Sequence, residues 1–146
     1  MWRLPELEPL GLIAEHDESI TGEVFLPGGD IVTCSLDGEI RKTSVKKQKI
    51  TRKKNFGLPI MGLAFDQKNN KIVIIDYEGG ISFLSPEDFG DFRRYSITAG
   101  NLLSMALLPD GKIYCSGDKG WLYLVDQGGN IIIKWRHGVP GGSDLR

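Results

Sequence analysis

Three glycines, Gly38, Gly79 and Gly120, stand 41 residues apart, and so do Ile31, Ile72 and Ile113. The same step carries Ile40 onto Ile81 and then onto Leu122. A fixed period of this length marks copies of one supersecondary unit, each unable to bury its apolar face alone. A chain of 146 residues and 16.2 kDa holds three such copies in one repeating domain.

Within each copy the three isoleucines lie in β-branched, apolar runs. Another run precedes each of them, ITGEVFL, IMGLAFD or LLSMALL, and the turns PGGD, DQKNNK and LPDGK join the two. After the shared glycine comes a third run, EIRKTSV, GISFLS or WLYLVD, and a fourth, QKITRK, DFRRYS or NIIIKW. Alternating patterns bounded by Asp-Gly, Gly-Gly and Asn-Asn predict four antiparallel strands per copy. The shared glycine is expected to close the hairpin between strands two and three with a positive φ, which a side chain would penalise. Val24, Ala64 and Ala106 recur on the first strand, where neighbouring units are expected to pack closely about an axis. Four strands in about 40 to 45 residues is the signature of a β-propeller blade. The sequence therefore predicts an all-β domain over 1–146: an N-terminal segment 1–19, blades at 20–59, 60–101 and 102–138, and a tail 139–146.

The same residues resemble known propeller repeats over roughly 20–138. Ser35-Leu36-Asp37-Gly38 is similar to the serine-x-aspartate-glycine turn of WD repeats, and Val125-Asp126 falls where that family places its Trp-Asp pair. No Gly-His dipeptide opens a repeat, and Thr43-Ser44 and Leu84-Ser85 stand at the equivalent positions. GWLYLVDQGGNIIIKW resembles the repeat of quinoprotein-type propellers, and Ser116-x-Asp118-x-Gly120 is similar to the aspartate box of sialidase propellers, although Trp121 follows its glycine directly. The resemblance assigns the propeller superfamily and no subfamily. WD-like propellers are commonly assembly scaffolds, which implies a non-enzymatic interaction module with a protein partner. Lactonase-like and quinoprotein-like propellers imply the alternative, an enzyme or small-ligand binder with an axial site formed on assembly.

Propellers close with about four to eight blades, so three copies leave two blade faces in need of cover. PLGLIAEH in the N-terminal segment reads as a possible closing strand. A dimer giving six blades is the simplest closure; a heteromeric ring, a longer chain of which this is part, and an open monomer are the others.

Charge is segregated along the chain. Met1 to Ile40 carries nine acidic residues and one basic, whereas RKTSVKKQKITRKK, from Arg41 to Lys54, carries eight basic and none acidic. Lys46, Lys47, Lys49, Arg52, Lys53 and Lys54 read either as an edge strand protected by charge or as a contact for an acidic protein surface. The run lacks the interleaved aromatics of a nucleic-acid platform. Trp121, Tyr123 and Trp135 alternate on neighbouring strands; they are expected to pack between blades, with Trp121 and Trp135 as partner-binding residues if partly exposed.

No residues are assigned to catalysis, metal or cofactor. His16 and His137 lie at opposite ends without ligand-type spacing, no nucleophile motif presents a serine or cysteine, and the paired glycines are hairpin glycines. Asp37, Asp76 and Asp118 lie at the second hairpins, where turn preference accounts for them. Cys34 and Cys115 are read as reduced core thiols. No run approaches the length of a membrane span and MWRLPELEPL is unlike a signal peptide, so the sequence points to an intracellular, cytoplasmic chain.

Overall fold

The computed structural model describes residues 19–136; PLGLIAEH, His16 and His137 lie outside them. Twelve strands form three four-stranded antiparallel sheets, each from one uninterrupted stretch of chain. Blade 1 holds β1 (Ile20–Phe25), β2 (Ile31–Ser35), β3 (Glu39–Ser44) and β4 (Lys49–Asn55). Blade 2 holds β5 (Ile60–Asp66), β6 (Lys71–Asp76), β7 (Gly80–Leu84) and β8 (Arg93–Ser96). Blade 3 holds β9 (Leu102–Leu107), β10 (Ile113–Gly117), β11 (Trp121–Val125) and β12 (Ile131–Arg136).

Strand order within each sheet follows the chain, so every blade is a meander whose first strand is innermost and whose last strand is the outer edge. The shared glycines adopt φ of 86°, 84° and 81° at Gly38, Gly79 and Gly120, as the hairpin argument requires. At Gly79 a side chain is excluded twice over, since a Cβ would lie 2.1 Å from the Thr98 carbonyl oxygen.

Because side chains alternate across a strand, each blade has two faces, and the 41-residue step superimposes them. Val32, Cys34 and Ile40 of blade 1 meet Ile72, Ile74 and Leu84 of blade 2 in one apolar core. Val73, Ile75, Ile81 and Phe83 on the other face of blade 2 meet Ile113, Cys115, Tyr123 and Val125 of blade 3 in the second. A leading face thus packs on the trailing face of the next blade, and the core consists of these two seams.

Close approach at the inner end has its own residues. Gly22 and Gly62 pair with Cys34 and Ile75 on the leading faces of blades 1 and 2. A Cβ on Gly22 would stand 3.1 Å from the Cβ of Leu63, and one on Gly62 would stand 3.1 Å from Ile75 Cγ1 and 3.3 Å from Met105 Cγ. Val24 lies on the same face, paired with Val32, and packs against the seam with blade 2.

Candidate interaction surfaces

The cationic run folds into β3, the turn after it and β4. Three of its members are tied down. Lys42 donates to the carbonyl oxygen of Pro86 at 2.9 Å and lies 3.9 Å from Asp30. Lys54 turns into the seam with blade 2, where its Nζ lies 3.4 Å from the Phe89 carbonyl oxygen and 4.6 Å from the centroid of the Phe92 ring. Arg41 pairs with Glu39. The remaining five, Lys46, Lys47, Lys49, Arg52 and Lys53, are exposed and make no ion pair among the described residues. Of the six cations singled out in the sequence, the fold therefore gathers five on one outer edge and takes Lys54 inward.

Trp121 and Trp135 are separated by strand parity. Trp121 faces blade 2 with Tyr123, their rings 6.3 Å apart and stacked, and Lys134 Nζ sits 4.6 Å over the Trp121 ring with Arg136 beside it. Trp135 pairs with Leu122 on the opposite, leading face of blade 3. There Tyr114, Leu122, Leu124, Ile133 and Trp135 line a cavity of about 240 Å³. The matched positions Val32 and Val73 are 0% exposed, whereas Tyr114 is 41% exposed. The trailing face of blade 1 differs again: Thr33 and Thr43 stand where blade 2 has Ile74 and Leu84, and Ile31, Thr33, Ser35 and Thr43 are buried.

The hairpin aspartates serve the fold. Asp76 is buried and accepts from the backbone N–H of Glu78 and Gly80, each at 3.0 Å. Arg94 reaches it with two further bonds of 3.0 Å, and this pairing raises the Arg94 pKa. Asp37 accepts the Glu39 N–H at 2.8 Å, while Asp126, at the WD-like position, accepts from Gly128 and Asn130, which lowers its pKa. These carboxylates close turns, as their neighbours in sequence imply. Burial pushes the Cys34 thiol up to about 11 and the Cys115 thiol up to about 12, so neither is a ready nucleophile. Among the described residues no helix is long and apolar enough to cross a membrane.

The sequence reading missed the leading face of blade 3, although the signal was present: stepping Val32 and Val73 forward by 41 reaches Tyr114, and stepping Ile40 and Ile81 forward reaches Leu122. It also missed Gly22 and Gly62, which share the step of 40 from Val24 to Ala64 but are followed by Ser104 rather than a third glycine.

No family model and no curated protein matches the sequence. Among solved structures, the β-propeller domain of Cps50 (Swd1) from Myceliophteria thermophila is similar, with a TM-score of 0.70 at 14% identity. The match covers 89% of this chain and 45% of that chain, so the chain spans less than half the length of its structural neighbour. The likeness shows the fold: the three sheets are blades of a β-propeller.

Proposed function

We propose that this chain is a non-enzymatic propeller module that binds an acidic protein surface through the outer edge of blade 1. The observation that carries the reading is the set of five exposed cations, Lys46, Lys47, Lys49, Arg52 and Lys53, without ion pairs among the described residues. Cations grouped this way raise the local concentration of anionic partners and steer their approach. Lys54 holds that edge against blade 2, and Trp121 beneath Lys134 and Arg136 offers a second cationic patch on blade 3. A protein-interaction role in general is in keeping with the propeller neighbour. An axial catalytic or ligand site is the weaker reading, because the hairpin carboxylates are engaged by Arg94 and by turn amides. An intracellular setting fits two buried free thiols.

A six-blade ring of two copies would set the leading face of blade 3 against the trailing face of blade 1. Ile31, Thr33, Ser35 and Thr43 on that trailing face are already buried, which disfavours this closure.

The test is binding of a fluorescent poly-glutamate peptide across a salt series, to the wild-type chain and to Lys47→Glu/Lys49→Glu/Lys53→Glu. The wild type is expected to bind and to weaken steadily with salt, and the variant to lose at least roughly tenfold in affinity with its melting temperature unchanged. Equal binding by both chains would refute the role of this edge.

A further inference from the structure

We infer that residues 1–18 cap the trailing face of blade 1 and so seal one end of the three-blade array. Ile31, Thr33, Ser35 and Thr43 on that face are 8%, 5%, 0% and 0% exposed. Neither apolar core contains them, because Val32, Cys34 and Ile40 are the residues that blade 1 turns toward blade 2. The other end of the array shows what such a face looks like uncovered: Tyr114 is 41% exposed, and Ser104 and Ala106 beside it are exposed as well. Side chains on one face of a single sheet are not removed from water by their own strands. The burial on blade 1 therefore calls for chain outside residues 19–136.

Three observations select residues 1–18 over residues 137–146. The first is position. The Leu36 N–H donates to the Ser19 carbonyl oxygen at 3.1 Å, so the chain enters blade 1 beside the hairpin between β2 and β3. Arg136 instead ends the outer strand of blade 3. Residues 1–18 can reach about 60 Å when extended, several times the width of about 15 Å across four strands.

The second is composition. Leu4, Leu7, Leu10, Leu12 and Ile13 lie in residues 1–18, whereas residues 137–146 offer only Val139 and Leu145. Among the described residues Thr43 Oγ1 is buried without a hydrogen-bond partner, and an apolar side chain is the cover that fits it.

The third is charge. Glu6, Glu8, Glu15, Asp17 and Glu18 stand in the segment with Arg3 as its one fixed cation. On blade 1 Thr33 pairs with Arg41 and Arg41 with Lys53, so two cations border the trailing face. The carboxylates also supply the polar outer surface that the terminal unit of a repeat array needs.

Maleimide labelling of a Thr43→Cys variant of the full 146-residue chain reads the cover directly. Cys34 and Cys115 are buried and serve as internal reporters of an intact fold. Thr43→Cys should label at least roughly tenfold more slowly than Lys47→Cys, at a rate independent of protein concentration. Adding Leu10→Asp/Leu12→Asp/Ile13→Asp should abolish that protection while Cys34 and Cys115 stay unlabelled. If the aspartates unfold the chain, the milder Leu12→Ala/Ile13→Ala should speed labelling by a smaller factor. Val139→Asp should leave the rate unchanged. Fast labelling of Thr43→Cys from the outset, or protection that survives these changes in residues 1–18, would overturn the inference. So would protection that rises with protein concentration, the mark of a second copy, or protection lost in Val139→Asp.

Discussion

Blades 1 and 3 are built on the same 41-residue plan and present opposite chemistry to their surroundings. Blade 1 carries a cationic outer strand and a buried end face in which Thr33 and Thr43 replace aliphatic residues. Blade 3 carries an isoleucine-rich outer strand and an open apolar end face. The backbone repeat fixes which positions point into a seam, while the residues at those positions decide whether the seam is sealed, charged or left for another molecule. A repeat protein can therefore change its partners without altering its fold.

The largest test of that contrast compares two leucines at a filled and an unfilled face. Leu84→Ala, between blades 1 and 2, should cost about 3 kcal/mol in urea unfolding through lost burial and a residual cavity. Leu122→Ala should cost less than about 1 kcal/mol in the single chain, since its face is not closed over. Equal losses would mean that the two faces are packed alike.

Next in size is the exchange at the inner end. Gly62→Ser forces a Cβ against Ile75 and Met105 and should cost about 2 kcal/mol by overpacking. The reciprocal Ser104→Gly should cost under about 1 kcal/mol, the entropic penalty of glycine in a strand. A benign Gly62→Ser would mean that Ile75 and Met105 yield the few tenths of an ångström that a Cβ needs there.

The smallest effect concerns the two thiols. Both are raised above an ordinary 9.0, Cys34 to about 11 and Cys115 to about 12, by burial. Between those limits the unfolded chain releases a thiol proton that the folded chain retains. The stability each thiol contributes is thus fully present below pH 9 and declines as pH rises, by about 1.4 kcal/mol per unit per thiol. The blade 1 decline should end first, because the hydrogen bond between Thr21 and Cys34 partly offsets burial at Cys34. Comparing Cys34→Ala and Cys115→Ala in denaturant series from pH 8 to about 11 isolates the two arms. Identical pH slopes for wild type and both variants would contradict the assignment.

Much of this architecture was legible because it rests on local chemistry. Gly38, Gly79 and Gly120 had to adopt positive φ, and strand alternation fixed the four-stranded meander around them. What escaped depends on parity and on distant partners. Trp121 and Trp135 read as neighbours, yet a register shift between Leu124 and Val125 and the alternation of adjacent strands send them to opposite faces. Lys54 read as one more surface cation, but the seam with Phe89 and Phe92 lies 35 residues or more away in sequence. Arg94 gave no hint of Asp76 for the same reason, since the pair is made across a hairpin and the strand beyond it.

Each sheet is drawn from one continuous stretch of chain, and this has a kinetic meaning. Pairing within a blade closes only short loops, so any of the three can nucleate first and the seams can form afterwards by docking. Blade 2 takes part in both apolar cores, through Ile72 on one side and Val73 on the other. Its amides should exchange with solvent most slowly, and the outer strands of blades 1 and 3 should open as separate cooperative units well before the middle of the molecule yields.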